Sequence, residues 1–299
     1  MKASVVITNY ETWPSTLTCL RALERHSAGS IEEIVVVDDG SRSAPPAELP
    51  GGVRVVRNEV NRGYVASVNV GFGAVRGDWV LLLDSDACPQ MDVVEPISRA
   101  FASEADLGAI ALQTVDEHGR PTASSYEEPD ALALLLGPRL DGYYTKVRGL
   151  VTEPPRVLAS CALAVRREAF EAVGGFDEAF DFLDADFDFS MRVSRAGFRT
   201  HVDPSLVAFH AGSGSPQSLS RRVLRCYENR WRLLEKHGKL PFPTALKAVL
   251  TLRHLTEAQV LLVAIGTSAG ERRAFYREKL RVRRRLLETV WSGYRDATG

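Results

Sequence analysis

The sequence has no excess charge of either sign, no paired cysteines, no long uninterrupted apolar run and no internal repeat, and each absence removes a class of protein. Lysine and arginine total 37 against 38 aspartate and glutamate, a formal net charge of -1. A chain whose main ligand is nucleic acid would carry a strong basic excess or a long basic face with interleaved aromatics, so no nucleic-acid partner is expected. The four cysteines, Cys19, Cys88, Cys161 and Cys226, are widely scattered, with no C-x-x-C pair and no histidine at zinc-ligand spacing. A reducing, cytoplasmic setting follows, and neither a disulfide framework nor a structural zinc site is expected. The longest late apolar run, Val260 to Ile265, falls short of the roughly 20 residues that span a bilayer, so no membrane span is expected. The opening MKASVVITNY enters a strand-like run at once and meets Asn9 and Glu11. That reads as the start of a mature chain and not as a signal peptide.

What is present is ordinary globular material: 299 residues, 45% hydrophobic and 25% charged, enough for a large core and a helical appendage. Strand-like and helix-like segments alternate through the first half, which predicts an α/β fold with a mostly parallel sheet covered on both faces. Strands are expected at 3–8, 33–37, 53–57, 79–83, 107–112, 156–165 and 199–209. Helices are expected at 13–26, 64–75, from Pro89 to about Ser103, and from about Asp184 to Ala196. Beyond Pro216 the periodicity turns helical, near 217–237, 244–265 and 271–292. Residues 271–288 hold eight Arg or Lys against three Glu. A solvated helix face is the plain reading of that segment; peripheral contact with an anionic membrane surface, or with an acidic acceptor, is the other.

The chemistry concentrates at predicted strand ends. Asp84-Ser85-Asp86 follows the fully apolar WVLLL, so two carboxylates arrive at the carboxyl end of a buried strand, where open α/β sheets bind ligands. Two carboxylates this close repel unless a cation or a hydrogen-bond network lies between them. Their hard oxygens suit Mn²⁺ or Mg²⁺ bridging a diphosphate. The plainer alternative has Asp84 capping the helix expected near Pro89. Asp38-Asp39-Gly40-Ser41 repeats the pattern after the second strand, where an Asx turn competes with a ligand role. Thr8-Asn9-Tyr10 adds polar tips after the first strand. In LDADFDFSMR, Asp184 suits a helix N-cap and Asp188 can pair with Arg192 one turn on, leaving Asp186 without an evident structural task. The glycines of Gly71-Phe72-Gly73-Ala74-Val75-Arg76-Gly77 end a predicted helix, whereas a dinucleotide-binding loop must follow a strand and open one.

The ordered succession VVITNYETWP, EIVVVDDGS, NRGYVASVNVGF, GDWVLLLDSD, GGFDEAF, DADFDFSMR and VAFHAGSGS resembles the family 2 glycosyltransferases of GT-A fold, from Met1 to about Glu235. Within that family it looks most like the bacterial rhamnosyltransferase branch. The resemblance implies a Rossmann-like GT-A sheet with helices on both faces and a C-terminal helical extension. It implies that Thr8 and Tyr10 border the base of a nucleotide sugar and that Asp39 hydrogen-bonds the base. Arg62 would approach the base or diphosphate. Asp84, Ser85 and Asp86 would serve the ribose, diphosphate and metal, and His210 would assist the metal or diphosphate. Asp186 matches the family's catalytic base, with Asp184 as the alternative. The Glu usual one position before that base is Ala185 here.

The implied reaction is an inverting single displacement. A sugar, rhamnose or another hexose, passes from a UDP- or dTDP-donor to a hydroxyl of a glycan, lipid-linked or small-molecule acceptor, with Mn²⁺ or Mg²⁺ assisting. The expected organisation is 1–112 for the nucleotide-sugar half, 113–215 for the acceptor and catalytic half, with an acceptor-shaped insertion at 113–155, and 216–299 for the helical extension. Two competing readings are a sugar-nucleotide pyrophosphorylase and a non-catalytic nucleotide-sugar-binding protein. The first would need a Gly-rich basic loop after the opening strand, where the chain has Thr8-Asn9-Tyr10-Glu11.

Overall fold

The computed structural model describes residues 1–137, 157–181, 183–212 and 219–297. The chain divides into two compact units, Met1–Glu128 with Thr145–Gly214, and Pro129–Tyr144 with Ser215–Gly299. Much of the expected 113–155 insertion, residues 138–155, lies outside the described residues.

The first unit is built on an eight-stranded sheet in the order β3-β2-β1-β4-β9-β6-β10-β5. Its strands are β1 (Ala3–Asn9), β2 (Glu33–Asp38), β3 (Val53–Arg57), β4 (Trp79–Asp84), β5 (Ala87–Pro89), β6 (Leu107–Val115), β9 (Ala162–Arg166) and β10 (Arg199–His210). A separate two-stranded ladder joins β7 (Ser125–Tyr126) to β8 (Val157–Leu158). The helices are α1 (Trp13–Ser27), α2 (Tyr64–Ala74), α3 (Val94–Ser103), α5 (Arg167–Val173) and α6 (Ala185–Arg195); α4, at 131–137, belongs to the second unit. Trp79 to Leu83 are fully buried, as a central strand covered on both faces must be.

The sheet is mostly parallel, as expected, with two reversed strands, β9 and β5. β3, β2, β1 and β4 run parallel, but β9 lies antiparallel between β4 and β6. The expected single strand at 156–165 is broken: Ala159 to Cys161 separate β8 from β9. Pro89 also departs from expectation. It closes β5 opposite Ala208 instead of opening a helix, and α3 starts only at Val94, whose N–H is held by the Asp92 carboxylate at 3.0 Å. Asp84 therefore caps no helix.

Gly71 lies inside α2, buried against the sheet. A Cβ there would sit 2.3 Å from Val6 Cγ1 and 3.2 Å from Val37 Cγ2, both on fully buried strand residues. Gly71 thus serves helix-on-sheet packing. Gly71→Ala gains about 1 kcal/mol of helix propensity against an overpacking cost of about 1–3 kcal/mol. A net loss of about 1 kcal/mol is expected, read as a lowered urea midpoint at unchanged slope.

In the second unit α7 (Leu219–Lys236), α8 (Pro243–Gly266) and α9 (Gly270–Thr289) follow one another, close to the periodicity. Tyr227, Trp231, Leu250, Leu286 and Tyr294 form the centre of its core, with His254 Nε2 2.9 Å from the Tyr294 hydroxyl. The run Val260–Ile265 proves to be the end of this 24-residue α8, whose most apolar window has mean hydropathy 1.4. By length and composition alone α8 could cross a membrane. Counting only uninterrupted apolar residues hides this, because Arg253, His254 and Glu257 break the run.

Candidate active site

Parallel register brings the polar tips of the first strands to one edge. Thr8 pairs with Asp84, and Asn9 with Asp38. β4 then turns through Ser85 and Asp86 into β5, and the antiparallel pairing of β5 with β10 sets His210 opposite Ala87. Residues 124 positions apart thereby meet: His210 Nε2 lies 3.5 Å from Asp86 Oδ1 and 3.8 Å from Asp84 Oδ2. Among the described residues these three are the group whose ligand atoms could hold a metal, all within 4.8 Å of one another.

This cluster is electrostatically strained. Burial, opposed by His210 and reinforced by Asp86, pushes the Asp84 carboxyl up to about 6. Its Oδ1 is buried without a hydrogen-bond partner. An orphaned carboxylate oxygen beside a second carboxylate and an imidazole is a donor set suited to a divalent cation, so Mn²⁺ or Mg²⁺ fits the residues present.

The Asp38-Asp39 pair divides its work. Asp38 is fully buried; its Oδ1 accepts from Asn9 at 2.9 Å and from the Ser41 hydroxyl at 2.5 Å, so this residue builds the turn. Asp39 accepts from Asn58 Nδ2 at 2.8 Å and from the backbone N–H of Arg62 and Gly63 at 2.9 and 2.8 Å. It therefore fastens the Asn61-Arg62-Gly63 loop to the end of β2. The Arg62 side chain is half-exposed, 3.6 Å from Glu178. Tyr10 is exposed and Thr8 partly buried, both at the same edge.

The start of α6 carries the remaining acidic cluster. Asp188 is fully buried and accepts from Arg192 Nε at 2.7 Å, as the spacing predicts. Asp184 occupies the N-cap position, yet in the left-handed region (φ 64°) and without a side-chain cap hydrogen bond. A non-glycine residue in that conformation costs on the order of 1 kcal/mol, and such strain clusters at functional sites. Burial first, then the neighbouring Asp184 charge, raises the Asp186 carboxyl to about 7. Ala185 is fully buried. At the Gly174-Gly175 turn, Asn69 clamps Phe176 through both backbone groups at 2.9 Å. Gly175 there has φ 79°, and a Cβ would lie 2.9 Å from Asn69 Oδ1.

Tyr64, Ser160 and Cys161 escaped the sequence reading. β9 runs against β4, so the start of β9 meets the end of β4, and the Asp84 N–H donates to the Cys161 carbonyl at 2.9 Å. The Tyr64 hydroxyl donates to Ser160 Oγ at 3.1 Å. Burial and the Asp84 charge push its phenol well up, with Asp186 adding to the rise. Tyr64 and Cys161 thus lie within electrostatic reach of both Asp84 and Asp186. Tyr64 follows the Asn61-Arg62-Gly63 loop directly, a positional signal that was available; the reversal of β9 had none.

An uncharacterised glycosyltransferase of Haemophilus influenzae is 25% identical over 199 residues, 64% of this chain and 61% of its own length. An N-acetylglucosaminyl-diphospho-decaprenol L-rhamnosyltransferase of Mycobacterium tuberculosis is 25% identical over 230 residues, covering 69% of this chain and 75% of that protein. Among solved structures, a mannosyltransferase from Pyrobaculum calidifontis in complex with GDP-Man and Mn²⁺ superposes with a TM-score of 0.60 at 16% identity, covering 100% of this chain and 88% of that one. The fold is therefore the α/β GT-A fold with a helical C-terminal region. The model for "Glycosyl transferase family 2" matches residues 4–174, more than half of the chain and the stretch that carries Asp39, Asp84 and Asp86 on its strand ends, so this chain belongs to glycosyl transferase family 2.

Proposed function

We propose that this glycosyltransferase is inverting and metal-assisted, moving a hexose, with rhamnose the leading candidate, from a UDP- or dTDP-sugar to an acceptor hydroxyl. The observation that carries this reading is the convergence of Asp84, Asp86 and His210 with Asp186 around the Tyr64 and Cys161 side chains. Asp86, Asp84 and His210 would hold Mn²⁺ or Mg²⁺, which when bound neutralises charge on a departing diphosphate. Thr8, Tyr10 and Ser85 line the donor side. Asp39 serves it by fixing the loop that presents Arg62. Asp186 takes the proton of the acceptor hydroxyl as its oxygen attacks the anomeric carbon; a single attack from the opposite face inverts that centre. A carboxyl held near 7 is matched to this task, because a base accepts a proton best when its pKa lies near the working pH.

UDP-, dTDP- and GDP-sugars, each with and without Mn²⁺, test the donor assignment by thermal shift and slow hydrolysis. Saturation at a hundred times Kd stabilises by about 2.7 kcal/mol. A metal-dependent rise with UDP- or dTDP-rhamnose and release of free sugar are expected. A response confined to GDP-sugars would overturn the donor assignment, and stabilisation without any turnover would favour a binding protein.

A further inference from the structure

Helix α8 wears its polarity inside out. Its charged residues Lys247, Arg253 and Glu257 face its own unit, Lys247 Nζ donating to the Trp291 carbonyl at 2.8 Å. The Arg253 guanidinium donates to the carbonyls of Leu134 and Leu136 at 3.2 Å and to that of Leu135, and Glu257 meets Arg283 Nε at 2.5 Å. Burial opposes ionisation of Glu257, but His254, Arg283 and Arg253 outweigh it and hold the carboxyl at about 2. The opposite face is exposed and carries no charged residue. Leu252, Val260 and Val263 are 66%, 63% and 68% exposed, and Val249, Leu255 and Leu262 join them. A solvated helix would normally put these residues inward. An exposed face of this size marks an interaction surface.

Helix α9, packed along α8 in the same unit, supplies the charge. Arg277, Arg281 and Arg284 are exposed at i, i+4, i+7 spacing and have no ion-pair partner among the described residues. Phe275, 42% exposed, lies on the same helix.

We propose that α8 and α9 form a docking surface for an anionic phospholipid bilayer, with α8 lying in the interface plane. An uncharged apolar face on α8 and unpaired arginines on the helix packed along it together complement acyl chains beneath a layer of lipid phosphates. A second copy of this chain fits less well, since a two-fold pairing would bring two sets of unpaired arginines together. Spanning is disfavoured because it would carry Arg253 and Glu257 towards the bilayer centre, at roughly 2.5–3.5 kcal/mol for a buried Arg, and would break their bonds within the unit. The basic face recognised in the sequence is thus only half of the surface.

The test uses the full chain in vesicle flotation, with phosphatidylcholine alone and with phosphatidylcholine plus phosphatidylglycerol. It reads no sugar chemistry, so it stands apart from the proposed transfer reaction. Flotation is expected only with the anionic vesicles, weakening as salt rises. Changing Arg277, Arg281 and Arg284 to Gln lowers vesicle affinity on the order of a hundredfold. Leu252→Gln with Val263→Gln abolishes flotation while leaving the melting temperature unchanged, because both side chains are exposed. No flotation at low salt would overturn the proposal. So would a dimer in solution that Leu252→Gln with Val263→Gln converts to monomer, because the face would then belong to a second copy.

Discussion

Asp186→Asn is expected to lower sugar transfer about 10²–10⁴-fold while leaving donor affinity and metal-dependent thermal stabilisation unchanged. The amide keeps the size and the hydrogen bond from the Phe187 N–H to Oδ1 at 3.0 Å, and removes only the ability to accept a proton. Full activity in this variant would exclude Asp186 as the base and move the role to Asp184. The wild-type rate should fall tenfold per pH unit below about 7, the value to which burial and Asp184 raise this carboxyl. The same shift makes a prediction for stability. An aspartate ionises near 3.8 in the unfolded chain but near 7 in the folded one. Raising the pH between those values therefore favours the unfolded state, and the loss levels off above pH 7. Asp186→Asn abolishes this penalty. The variant should be more stable than wild type at pH 8, by about 2 kcal/mol after allowance for partial solvation, and show no advantage at pH 4. A catalytic base kept at the expense of stability predicts both results together; a structural aspartate predicts loss of stability.

The sequence displayed the parts of this site better than their assembly. WVLLL followed by Asp-Ser-Asp was legible because a buried parallel strand announces itself by an unbroken apolar run and ends where polar residues resume. The Asp188–Arg192 pair was legible from helical spacing alone. That Asp38 builds the turn while Asp39 ties down residues 58–63 was not, because adjacent identical residues on an extended chain differ only in which way they point. Nor was the company of Tyr64, Ser160 and Cys161. Their meeting with Asp84 depends on β9 reversing direction beside β4, and an apolar run reads the same in either direction. α8 misled for a related reason: the few charges that interrupt its apolar run face inward, so a count along the chain conceals what the three-dimensional surface exposes.

Asp86→Ala is expected to remove metal-dependent stabilisation and to lower transfer about 10²–10³-fold, the range typical of losing one element of transition-state charge stabilisation. Asp84, Asp86 and His210 present their ligand atoms within 4.8 Å of one another. Asp84 Oδ1 has no hydrogen-bond partner, so the cluster holds negative charge that its own hydrogen bonds do not satisfy. Deleting the Asp86 carboxylate relieves its repulsion with Asp84, and the metal-free variant should melt no lower than the wild type. In the presence of Mn²⁺ the order reverses, because wild type gains binding free energy that the variant cannot. A crossover of melting temperatures with added metal separates a ligand from a residue that merely supports the fold; equal Mn²⁺-induced shifts in the two proteins would exclude Asp86 as a ligand. His210→Ala should produce the same crossover with a smaller amplitude. The two carboxylates would supply the anionic ligands, whereas the imidazole would contribute a lone pair in the orientation fixed by β10 pairing with β5.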